Sequence, residues 1–202
     1  ILRRFDIRVL STILSEAAPD LNWSEDASDF FGLIDALGSN VKWKKDEYGY
    51  VITPAVRRVL QEYVRFTDPE KFERVNRLAF RTFRDMLKEG YRLHLLLELI
   101  YHSIVLYRFE HQLGNDEKVS EQVSDELVKY LNDESASQMF EDDLDSLRNA
   151  LEKDEEINGY INSAARDTIT GYIQARLIEN RLFRGVPETT SPVGDISDST
   201  GC

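Results

Sequence analysis

Three histidines and a glutamate raise the question of metal chemistry first. His94, Glu98 and His102 recur at i, i+4 and i+8, and His111 follows. On a helix the first three share one face. Imidazole and carboxylate are metal donors. The column cannot close on one ion, because i and i+8 lie roughly 12 Å apart along a helix axis. A site would need ligands from another segment, or would split into two Glu–His pairs. Packing and surface polar roles are the expectation instead, with no metal site.

Other catalytic patterns are missing. The ten glycines stand singly, and no Gly-x-x-x-x-Gly-Lys-Ser/Thr loop cradles phosphate. No serine sits in a Gly-x-Ser-x-Gly elbow. The one cysteine, Cys202, is the last residue. It has no sequence context for an activated thiol, and an internal disulfide is excluded. The chain is therefore expected to be no enzyme, with no catalytic residue and no cofactor.

Charge offers binding chemistry instead. Arg74, Arg77, Arg81 and Arg84 are spaced 3, 4 and 3, which places them on one helix face. Glu70, Glu73 and Asp85 are near enough to pair with them. The row reads as a salt-bridged surface or as a face for an acidic protein partner. A second basic set is Lys42, Lys44 and Lys45 with Arg57 and Arg58, the candidate phosphate contacts if the chain binds DNA. Against that stands the segment Ser24–Leu37, with Glu25, Asp26, Asp29 and Asp35 and no basic residue. A reading helix of that charge repels a duplex, so nucleic acid is not expected as a partner.

The net charge of −12 is unevenly placed. Residues 1–111 balance 17 basic with 17 acidic side chains, leaving 8 basic against 20 acidic in 112–202. The bland reading of the acidic half is a solvated helical surface. No run of apolar residues is long enough to span a membrane. No signal peptide is visible, and a cytoplasmic setting is expected.

The elements that must position these residues are mostly helical. Asp6 caps a first helix carrying Leu10, Ile13 and Leu14, and Pro19 ends it. Ser24 is a candidate cap for a second, with Phe30, Phe31, Leu33, Ile34 and Leu37 apolar and Gly38 as stop. Val41–Lys44 alternates, and Tyr50–Ile52 reads as the returning strand of a hairpin. Thr53–Pro54 opens a helix whose apolar face is Val56, Val59, Leu60 and Tyr63. Asp68–Pro69 opens another, with Phe72, Val75, Leu78, Ala79, Phe83 and Met86, ending at Gly90. Tyr91–Phe109 is apolar nearly all round and belongs at the centre of a bundle. Helices with Val119, Val123, Leu127 and Leu131, and with Met139, Phe140, Leu144, Leu147 and Leu151, follow a break near Gly114. One long helix is then expected from Ile157 through Leu177.

Helix, helix, hairpin and helix in the first 66 residues suggest a winged-helix-like domain. The fold class is mainly α: that domain at 1–66, an α-helical bundle at 67–184 with a possible sub-boundary near 112–116, and a disordered tail at 185–202.

Phe5–Val64 resembles the winged-helix segment that follows the nucleotide-binding domain in STAND-type signalling ATPases. The resemblance rests on Phe5-Asp6-Ile7, Asp35-Ala36-Leu37-Gly38, the hairpin from Trp43 to Ile52, and Thr53-Pro54-Ala55-Val56-Arg57-Arg58-Val59-Leu60. Thr67-Asp68-Pro69-Glu70-Lys71-Phe72 and Asn76-Arg77-Leu78-Ala79 are similar to the entry into that family's helical region. Leu96–His102 is similar to its Glu-x-x-Tyr-His element. The resemblance covers about residues 5–111 and implies a regulatory segment without the ATPase core. It implies contacts with other domains of a parent protein or with protein partners; the alternative readings of the chain are a DNA-binding winged-helix regulator with a helical dimerisation domain and a free-standing helical adaptor. The family's histidine after the hairpin has no counterpart at Thr53–Pro54, so direct nucleotide sensing is not implied.

Overall fold

The computed structural model describes residues 2–21, 23, 26–44, 49–110, 115–131 and 141–183. The Ser24 cap, the bend at 45–48, Lys45, His111, Gly114, Met139, Phe140 and the 185–202 tail lie outside them, as does the side chain of Lys44.

The chain is mainly helical with one small antiparallel sheet. Strand β1 (Arg4–Phe5) leads into α1 (Ile7–Ala17). Asp6 caps α1 by accepting from Val9 N at 2.8 Å. Helix α2 (Ala27–Leu37) is capped by Asp26, which accepts from Ser28 N, and stops at Gly38, where φ is 53°. Such a φ suits a residue without Cβ. The hairpin is β2 (Val41–Lys44) and β3 (Gly49–Ile52).

Sheet order is β1-β3-β2, with Val41 opposite Ile52, Trp43 opposite Tyr50, and Arg4 opposite Val51. Pattern reading misses β1, since two residues carry no periodicity. Its place depends on Gly49, where a Cβ would lie 3.1 Å from the Phe5 carbonyl oxygen. Phe5, Phe30, Tyr50 and Trp43 join the sheet to α2, with Phe30 and Tyr50 rings 5.4 Å apart and Trp43 and Tyr50 rings 4.9 Å apart.

Helix α3 (Pro54–Thr67) is followed by α4 (Pro69–Glu89), which Asp68 caps through Lys71 N at 2.9 Å. Helix α5 (Leu93–Glu110) then runs through the middle, packed against α4, α6 (Asp116–Leu131), α7 (Glu141–Lys153) and α8 (Glu155–Tyr160). Leu95, Leu96, Leu99, Ile100 and Ile104 are buried on several sides of it, which is why its sequence lacks a polar face. Helix α9 (Ser163–Phe183) packs on α6 and α7 with Ala165, Ile169 and Ile173 inward.

One apolar core runs from Leu2 to Ile173. It crosses the expected boundary at 66/67: α1 packs on α4, and Val9 and Ile13 belong to the same cluster as Phe72 and Phe83.

The single long helix expected from Ile157 is instead two, α8 and α9. Arg108 Nε donates to the Tyr160 carbonyl at 3.0 Å, taking it out of the helical ladder. Asp116 accepts from Asn162 N at 3.0 Å, and Asn162 caps α9 by accepting from Ala165 N at 2.9 Å. The break is tertiary in origin, since its partners come from α5 and α6.

Candidate functional site

The charged residues converge at a node inside the protein. Arg3 is 4% exposed, beside β1. Its guanidinium donates to Glu98 of α5 from Nε at 3.1 Å and from Nη2 at 2.8 Å. Nη1 donates to both oxygens of Asp154, at 2.8 and 2.7 Å. The guanidinium carbon also lies 4.1 Å from the centre of the Tyr101 ring. Burial opposes the charge on Arg3, but Glu98 and Asp154 outweigh burial and hold its pKa above the ordinary value. Asp154 does a second task. It caps α8 by accepting from the backbone N–H of Glu156 and Ile157, each at 3.1 Å.

Helix α3 is anchored to the same node by its polar side. Arg57, 4% exposed, donates to Glu156. Gln61, 3% exposed, donates to the Tyr160 hydroxyl at 2.7 Å and accepts from the Tyr101 hydroxyl at 3.1 Å. Burial lowers the pKa of Arg57 and raises those of Tyr101 and Tyr160. An open cleft of about 470 Å³ borders the node, with Arg57 and Glu156 in its wall and Arg58, Lys153 and Glu155 around it.

The consequence for α3 is that most of its large apolar side chains face outward. Sequence periodicity marks Val56, Val59, Leu60 and Tyr63 as its apolar side; Val56 is half-buried, and Val64 packs against the core. In the structure Val59 is 70%, Tyr63 65% and Phe66 80% exposed, with Leu60 also exposed. Val59, Tyr63 and Phe66 stand at i, i+4 and i+7, one continuous face. Apolar side chains face water because Arg57 and Gln61 have partners inside. Exposed apolar residues clustered this way mark interaction surfaces.

The sequence-level candidates separate into two groups. Arg57, considered as a phosphate contact, is buried against Glu156. Lys42 and Arg58 are exposed, and Arg58 Nη2 lies 3.9 Å from Glu155. The arginine row does stay together on α4. Arg74 donates to the Ala17 carbonyl at 3.2 Å, tying α4 to the end of α1. Arg77 pairs with Glu73 at 2.8 Å. Arg84 Nε lies 3.5 Å from Asp85. Arg74, Arg77 and Arg81 border a surface depression of about 480 Å³. Arg77, Arg81 and Arg84 border a smaller one of about 150 Å³.

The histidine column has no convergent set. His102 is fully buried, with Nδ1 2.9 Å from Asn76 Oδ1 and its ring stacked on Phe83 at 5.7 Å. The Asn76 amide nitrogen donates to the Phe72 carbonyl, so Oδ1 is the atom facing His102 and Nδ1 carries the proton. Burial holds this imidazole well below its ordinary pKa, and Arg3 and Arg57 push the same way. Among the described residues, no three His, Cys, Asp or Glu side chains are grouped to hold a metal, and no helix is long and apolar enough to cross a membrane.

Sequence reasoning missed Arg3, Gln61, Asp154, Glu156 and Tyr160. One signal was present: Glu98 is a lone carboxylate inside the apolar run 93–100, and a buried carboxylate requires a buried cation. Nothing local identifies Arg3 as that cation.

Compared with protein-family models, curated proteins and solved structures, the chain gives no match.

Proposed function

We propose that this chain is a non-catalytic regulatory and protein–protein interaction segment of a STAND-like signalling ATPase, working in the cytoplasm. The observation that carries the reading is the outward apolar face of α3. A helix tethered by buried polar residues, with Val59, Leu60, Tyr63 and Phe66 outward, is suited to hold an apolar face ready for another domain. The resemblance of Phe5–Val64 to a winged-helix segment is supported by the order β1, α1, α2, β2, β3 with β3 in the middle of the sheet. In this proposal the node is the joint between that segment and the helices behind it. Arg3 and Arg57 come from the first part, Glu98, Asp154 and Glu156 from the second. A shift of one part relative to the other must break buried ion pairs, so the two move together or not at all.

The test begins with the coding sequence upstream of the Ile1 codon. The reading expects one continuous frame containing a Gly-x-x-x-x-Gly-Lys-Ser/Thr loop. The nucleotide-binding domain so encoded, added in trans, should bind this chain and lose that binding to the triple replacement Val59→Ser, Tyr63→Ser and Phe66→Ser. A frame without such a loop, or binding indifferent to the triple replacement, would overturn the reading.

A further inference from the structure

The smaller depression beside α4 has the chemistry of a binding site. Arg77, Arg81 and Arg84 come from α4, Ser103 and Leu106 from α5, and Glu126 from α6, around about 150 Å³. Two of its polar atoms are buried with no hydrogen-bond partner: Ser103 Oγ and Arg84 Nε. Ser103 is 1% exposed. Elsewhere a helical hydroxyl such as Thr82 satisfies itself on the carbonyl four residues back, at 2.9 Å; the Ser103 hydroxyl does not. Arg81 is exposed and, among the described residues, has no ion pair. The Arg81 guanidinium and the Ser103 O–H therefore border one small cavity with donor capacity unused, beside the Arg84 Nε, which lies 3.5 Å from Asp85.

We infer that this cavity binds a single carboxylate, the side chain of an Asp or Glu on a bound polypeptide. Charge decides between anions. Glu126 stands in the wall, and Glu73 and Asp85 already pair with Arg77 and Arg84. Arg81 is the arginine of this wall that has no ion pair among the described residues. With Glu126 in the wall, a singly charged carboxylate meets less repulsion than a phosphoryl dianion. Size agrees: the volume is about that of five water molecules, room for a carboxylate and the methylene behind it. The donors also have a stability signature. An unpartnered buried hydroxyl costs free energy in the unliganded protein. The site is separate from the α3 face, and its chemistry holds whether or not α3 docks a domain.

The experiment uses the full chain with ¹⁵N-labelled arginine, following Nε–H resonances by NMR. The probe is a capped Gly-Glu-Gly peptide, titrated at constant ionic strength against capped Gly-Gln-Gly and against inorganic phosphate. The inference expects saturable movement of the Arg84 and Arg81 signals with the glutamate peptide only. Arg81→Gln and Ser103→Ala should each weaken binding roughly tenfold or more, the loss of one hydrogen bond to a charged group. Both variants should remain folded, and Ser103→Ala should melt no lower than the parent. Absence of saturable movement would overturn the inference. So would equal response to the glutamine peptide, stronger binding of phosphate, or affinity unchanged in both variants. Because α3 is untouched, none of these results bears on docking through Tyr63 and Phe66.

Discussion

Replacing Arg3 with methionine isolates the physics of the node. The substitution keeps an unbranched chain of similar reach and removes the guanidinium. Glu98, 0% exposed, loses its bonds at 3.1 and 2.8 Å, and Asp154 loses those at 2.8 and 2.7 Å. Arg4 Nε remains 3.5 Å from Glu98, a weaker and more exposed substitute. Stranding one partner of a buried pair costs about 3–5 kcal/mol, and Arg4 places this case toward the lower end. With a urea dependence of about 2 kcal/mol per molar, the unfolding midpoint should fall by about 1.5–2 M. The assay is urea unfolding followed by circular dichroism, with unchanged slope as evidence that one transition is compared. The double replacement Arg3→Met and Glu98→Met should recover part of the loss, because an apolar pair needs no counter-charge. A single variant within about 1 kcal/mol of the parent, the cost of an exposed pair, would refute the assignment of the node as a buried, mutually dependent set.

Other consequences are open to direct measurement. Gln61→Ala removes one hydrogen bond from each of the Tyr101 and Tyr160 hydroxyls and should cost about 1–3 kcal/mol, with faster amide exchange confined mainly to α3. The imidazole of His102 is held neutral in the folded chain while the unfolded chain protonates near pH 6.5. Its contribution is thus intact above about pH 6.5 and falls by up to about 1.4 kcal/mol per pH unit below it. Urea midpoints between pH 7.5 and 5.5 should show that slope in the parent and a shallower one in His102→Gln. Gly49→Ala pushes a Cβ against the Phe5 carbonyl at 3.1 Å and should destabilise by about 1–3 kcal/mol, read as a lower melting temperature. Tyr63→Ser and Phe66→Ser, both on the exposed face, should change stability by less than about 0.5 kcal/mol each, read by the same unfolding assay.

Local signals carried much of the fold. Asp6 and Asp68–Pro69 mark helix starts because a cap satisfies its own N–H groups within three residues. Gly38 marks a stop through its φ of 53°. The run 93–106 identifies the central helix because a segment without a polar side has nowhere to lie but inside. What stayed hidden depends on distance along the chain. Arg3 meets Asp154 across 151 positions and Arg57 meets Glu156 across 99. The end of α8 is set by Arg108, 52 residues before Tyr160. The orientation of α3 shows the limit most plainly. Periodicity locates the apolar face of a helix, but which face turns inward depends on what the neighbours offer. Here Glu156, Tyr101 and Tyr160 offer polar partners to Arg57 and Gln61. The arginine row was legible as one face of α4, yet the buried Ser103 hydroxyl opposite it was not.

Hydroxyl-radical footprinting of Tyr63 and Phe66, in this chain alone and in the complete gene product, tests the docking claim most directly. Rapid oxidation of both rings in the isolated chain and strong protection in the complete product is the result the account predicts. Equal oxidation in the two samples would contradict it, for the outward apolar face of α3 would then have no domain to receive.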